Sequence, residues 1–110
     1  MPNTPERDRN GLDPHVPGAK LDSGKNRLGL VLGDFRNALV EVGKVGTFGA
    51  NKYTAHGWLS VPDNVERYTD AMLRHHFADT PTDPESGLSH AAHRAWNALA
   101  ILELELRENQ

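Results

Sequence analysis

The sequence contains no cysteine, which excludes disulfide staples, zinc ribbons and thiol nucleophiles. It also lacks an excess of basic charge, since 12 Lys and Arg stand against 15 Asp and Glu for a formal net charge of −3. A general nucleic-acid binder is expected to carry a basic stripe, so nucleic acid is not an expected partner. No apolar run approaches the roughly 18 to 20 residues needed to cross a bilayer. The opening MPNTPERDRN has no apolar core of the kind a signal peptide requires. The expectation is a soluble, cytoplasmic protein with no membrane partner. Two common signatures are missing as well. GAKLDSGK has neither the spacing nor the Ser or Thr of a phosphate-binding loop, and no His-Glu-x-x-His zinc motif is present.

What remains is a chain of 110 residues, enough for one small domain. Small domains bury a reduced fraction of their surface, so self-association is expected. Residues 1–18 hold Pro2, Pro5, Pro14 and Pro17 among charged residues with little to bury, which reads as a mobile arm. Residues 19–110 read as a single helical domain. GAKLDSGKNRLGLVL is a glycine-rich loop leading into an extended segment or a first helix. Asp34 is a good N-cap for a helix running to about Lys52, with Phe35, Leu39, Val42, Val45 and Gly49 on one face. Gly43, Gly46 and Gly49 each cost up to about 1 kcal/mol in a helix interior. Close helix approach, close approach of a ligand, or a break in the helix would each account for them. After a loop over 54–62, Asp63 or Asn64 can cap a second helix with Val65, Tyr68, Met72, Leu73 and His76 inward. Pro81 and Pro84 end it. A last helix begins between Ser86 and Ser89 and reaches about Glu108, with Leu88, Ala92, Ala95, Leu99, Leu102 and Leu106 spaced as in a bundle. The fold class is all-α, with about three main helices completed by oligomerisation.

The chemistry-bearing residues cluster late in the chain. His90, His93 and Asn97 share one stripe of the last helix, and that stripe turns apolar at Ile101 and Leu104. A solvated face would not change character within a turn, so a lined pocket is expected there. Glu41 borders the apolar face of the first long helix and can converge with Asp70 and Glu85 as hard oxygen ligands suited to Mg²⁺. A surface position for Glu41, and an ion pair with Arg74 for Asp70, are the plainer readings. Arg74, His75 and His76 either complement a helix C-terminus or contact phosphate, which Arg can grip with two N–H groups. Lys52, Tyr53 and Trp58 flank the first long loop, where an aromatic ring beside a cation can hold a base and a phosphate.

Read in order, GAKLDSGKNRL, FGANKY, the Trp of HGW, RYTDAMLRHH and DPESGLSHAAHRAWNALAILELE resemble a phage-associated family, the N-terminal domain of dATP/dGTP diphosphohydrolases. The resemblance spans about residues 18–105. That group is similar to the all-α nucleoside triphosphate pyrophosphohydrolases of the MazG kind. These assemble as dimers or tetramers and use carboxylate-held Mg²⁺ to split a nucleoside triphosphate into monophosphate and pyrophosphate. The resemblance implies a Mg²⁺-dependent purine (deoxy)nucleotide pyrophosphohydrolase from a phage acting in a bacterial host. Its metal ligands would come from Glu41, Asp70, Asp83, Glu85 and Asn97. His75 and His93 would serve acid–base chemistry, and Lys25, Lys52, Tyr53, Trp58, Arg74 and His90 would bind substrate. The chain departs from the MazG pattern: Glu41 is followed three positions on by Lys44, and Glu66 and Asp70 are four apart rather than three. A protein that sequesters a nucleotide, or a nucleotide-derived defence signal, without turning it over is the alternative. A helical adaptor leaves the polar stripe unexplained.

Overall fold

The structure, a computed structural model, describes residues 5–108. Residues 1–4 of the expected arm lie outside that range. The chain forms two compact units, one ending at Asp34 and the other beginning at Phe35. In the first, residues 5–27 are turns and loop. The Asp8 carboxylate accepts from the amides of Asn10 at 3.0 Å and Leu12 at 2.7 Å, and Arg9 pairs with Asp22 at 3.2 Å. The unit ends in a short helix α1, Leu28–Gly33.

The second unit is helical. It contains α2 (Arg36–Lys52), a 3₁₀ turn (Gly57–Ser60), α3 (Asn64–His76) and α4 (His90–Glu108). Among the described residues there is no strand, only an isolated antiparallel bridge between Thr82 and Ser89. The long helices fall where apolar spacing places them, but two caps differ. Asp34 closes α1, and Phe35 precedes α2 without a side-chain cap. Asp63 sits at φ 54° and makes no capping bond.

α4 packs against both α3 and α2. Tyr68 lies against Trp96 while His75 lies against His90, so α3 and α4 run antiparallel. At about 1.5 Å per residue, the 13 residues of α3 cannot cover the 19 of α4. Ala92 and Ala100 are buried, while Leu99, Leu102 and Leu106 remain 54–56% exposed. The inward placement expected for these leucines is therefore not met within one chain, and neither is that of Phe35, Leu39, Leu73 and His76. The three-residue glycine repeat does not break α2. A Cβ on Gly46 would stand 3.1 Å from the Trp96 indole nitrogen, whereas Gly43 and Gly49 have nothing within 4 Å. Close approach thus explains Gly46 alone.

Candidate functional site

The loop after α3 folds back on itself before α4 begins. The amide of Asp83 donates to the Leu88 carbonyl at 2.8 Å, that of Gly87 to the Asp83 carbonyl at 2.7 Å, and that of His90 to Pro81 at 3.0 Å. Gly87 sits at φ 73°, a conformation that costs any residue with a Cβ. This compact turn carries Asp83, Glu85 and Ser86 to the N-terminal end of α4, where His90 and His93 emerge.

There the side chains form a connected cluster. The Thr80 hydroxyl donates to the Thr82 carbonyl at 2.9 Å. Its oxygen is thus left to accept from His90 Nε2 at 3.2 Å. The Nδ1 atoms of His75 and His90 stand 2.8 Å apart, so the two rings share one proton between them. His75 stacks on His93 at 4.3 Å with the rings 9° from parallel. His93 Nε2 lies 2.7 Å from the Ser86 hydroxyl and 3.5 Å from Asp83. Burial holds His75 below the usual imidazole range, helped by the neighbouring rings of His93 and His90. Burial does the same to His93 against the opposing pull of Asp83. For Asp83 burial acts upward, but hydrogen bonds from the Ser86 hydroxyl and from the amides of Glu85 and Ser86 outweigh it and hold the carboxyl low. His75 and His93 thus favour the neutral ring, and Asp83 favours the ionised carboxylate. Asn97 is buried with its amide donating to the His93 carbonyl at 2.8 Å, so it braces the helix one turn behind the histidines.

Two turns earlier on α3 a second group forms. Trp58, Tyr68 and Trp96 meet edge to face or tilted, with ring centroids 5.5–6.4 Å apart, the arrangement aromatic quadrupoles favour. The Tyr68 hydroxyl donates to the Trp58 carbonyl at 2.6 Å, tying the 3₁₀ turn to α3. Both groups line a single cleft of about 1050 Å³ between α2 and α3, floored by α4. Tyr68 and His75 are seven residues apart, so the aromatic and histidine groups are offset by about 10 Å along the helix.

The cleft gathers most of the residues singled out from sequence: Lys52, Tyr53, Trp58, Asp70, Arg74, His75, Asp83, Glu85, His90 and His93. Lys52 bonds Glu85, which raises its ammonium pKa, and lies 5.2 Å from the centre of the Tyr53 ring. Three of the sequence candidates stand elsewhere. Glu41 is paired with Lys44 at 2.8 Å on α2 and is not part of the cleft wall. Asn97 is behind the wall, and Lys25 belongs to the first unit. The Asp70–Arg74 ion pair does not form. Of the proposed oxygen ligands Asp70, Asp83 and Glu85 line the cleft, while Glu41 and Asn97 do not. Among the described residues no group of three or more His, Asp or Glu side chains is arranged to hold a metal ion. Within one chain the residues do not fit a Mg²⁺ site. Sequence reasoning missed Tyr68 and Trp96 as cleft walls, and Ser86 and Thr80 as partners of the histidines. Trp96 could have been found, because it follows His93 by three on the same stripe.

Residues 15–110 match the family described as dATP/dGTP diphosphohydrolase, N-terminal. Over 92 residues the chain is 36% identical to a dATP/dGTP diphosphohydrolase of Salmonella phage PMBT28, covering 81% of this chain and 30% of the relative. The chain therefore spans under a third of that curated relative's length. No solved structure matches it. No helix among the described residues is long and apolar enough to cross a membrane.

Proposed function

The chain belongs to the family of dATP/dGTP diphosphohydrolase N-terminal domains, and we propose that its cleft binds a purine deoxynucleoside triphosphate for hydrolysis to monophosphate and pyrophosphate. One observation carries the reading: a single cleft is lined by the rings of Trp58, Tyr68 and Trp96 together with Lys52, Arg74 and the stacked and hydrogen-bonded imidazoles of His75, His90 and His93. The offset of about 10 Å between the aromatic and histidine groups is comparable with the distance from a base to its phosphate chain. Trp58 and its aromatic neighbours would take the base. Lys52 and Arg74 would take phosphate oxygens, Arg74 with paired N–H donors. His75 and His93 would be neutral near pH 7 and able to accept a proton there.

Magnesium is the metal the family resemblance implies. The carboxylates described in one chain do not converge to hold it. The test is a chromatographic and mass-spectrometric assay of dATP and dGTP with purified protein, with and without Mg²⁺. Monophosphate and pyrophosphate should appear, and should fall at least tenfold in Lys52→Ala and Arg74→Ala if each charged contact contributes about 1.5–3 kcal/mol. Nucleotide retained but unchanged in both conditions would contradict hydrolysis and leave a binding protein.

Self-association belongs to the same reading. Leu99, Leu102 and Leu106 form an exposed stripe on α4 that a second copy would cover. Light scattering should find more than one chain per particle, and Leu102→Glu should return it to a monomer. A monomeric wild-type protein would contradict this.

A further inference from the structure

Lys52 and Glu85 are 33 residues apart in sequence. One ends α2, and the other tops the turn between α3 and α4. Both line the cleft, and their side chains are 41% and 57% exposed, so their ion pair joins the two walls at the solvent-facing rim. The turn does not need this bond for its shape. It is already held by the Thr82–Ser89 bridge, by its own amides, and by Ser86 against His93. No other cation contacts Glu85 among the described residues, and Lys52 has no second carboxylate. The pair is therefore a connection across the cleft rather than a part of either wall.

We propose that Glu85 is a built-in competitor for Lys52, a carboxylate occupying the ammonium until a ligand's polyphosphate displaces it and unstraps the turn from α2. The proposal rests on the nucleotide reading above. An exposed ammonium–carboxylate pair is weak, so it can be exchanged. Pyrophosphate or a triphosphate brings several charges and can engage Arg74 of the same cleft as well, where a single carboxylate cannot. Exchange would also leave Glu85 free at the moment the ligand is seated. Lys52 in an empty cleft thus keeps its own carboxylate against weakly charged solutes and yields it to polyphosphates.

The experiment is calorimetric titration of inorganic pyrophosphate into wild-type, Glu85→Gln and Lys52→Gln proteins in EDTA, so that no metal can link Glu85 to the ligand. Glutamine keeps the shape of glutamate at an exposed position, and circular dichroism verifies each fold. Glu85→Gln should bind about three- to fivefold more tightly than wild type, the size of effect expected when one exposed ion pair is removed. Lys52→Gln should bind more weakly than both. Equal or weaker binding by Glu85→Gln would overturn the competitor. If that happens while dATP and dGTP are still hydrolysed, the nucleotide reading survives alone. If neither wild type nor Glu85→Gln binds pyrophosphate or nucleotide, both fall.

Discussion

Replacing Trp96 with alanine should destabilise the protein by about 3 kcal/mol, within the span for large aromatic truncations. The indole joins three elements. It lies edge-on to Trp58 at 5.7 Å and to Tyr68 at 5.5 Å, and it approaches α2 at Gly46, where no side chain intervenes. The core is otherwise thin, with Val45, Ala92 and Ala100 as its buried apolar residues. Trp58 and Tyr68 would both lose the ring they pack against. Thermal unfolding should shift down by about 10 °C or more for a domain of this size. Trp96→Phe, which keeps a ring in place, should recover most of the loss. A shift of only a degree or two for Trp96→Ala would mean that the aromatic group is not structural.

Acid should weaken the fold in two steps. His75 and His93 are held below the ordinary imidazole value, chiefly by burial, so the unfolded chain takes up their protons more readily than the folded one. Stability is then full above about pH 6.5, the unfolded value, and is lost as pH falls through that value toward the lower folded ones. Burial is the reason, because a charged ring gives up in the fold the water that solvates it in the unfolded chain. Asp83 is also held low, so its contribution persists through the histidine window and is lost only below the usual carboxylate range. The unfolding temperature measured from pH 7.5 to 5.5 should fall. It should fall less in His93→Gln, whose amide cannot be charged. A flat profile in wild type would contradict the buried neutral cluster.

Much of this was legible from the chain. Apolar spacing gives α2, α3 and α4 to within four residues at each end, because their periodicity is long and regular. The stripe of His90 and His93 was legible for the same reason. Reading failed where tertiary partners decide. Asp34 has the chemistry of an N-cap but closes α1, since a short helix precedes it. Glu41 was one position from the apolar face, and one residue turns a helix by about 100°. It pairs with Lys44 instead of facing the cleft. The turn over 80–89 could not be read because its shape depends on one glycine at positive φ and on a bridge of two residues, neither of which leaves a period. The spacing of the α4 leucines predicts a core face, yet α3 is too short to reach them.

Occupancy of the cleft by nucleotide is read most directly in an amide and indole NMR titration of the protein with dATP and dGTP. The chain has two tryptophans, and both stand at the aromatic end of the cleft, so two indole signals report on the base. With a purine nucleotide seated in the cleft, these signals move together with the amides of Lys52, Arg74 and Glu85. Unmoved indoles, or shifts confined to the exposed leucines of α4, would contradict nucleotide binding in the cleft.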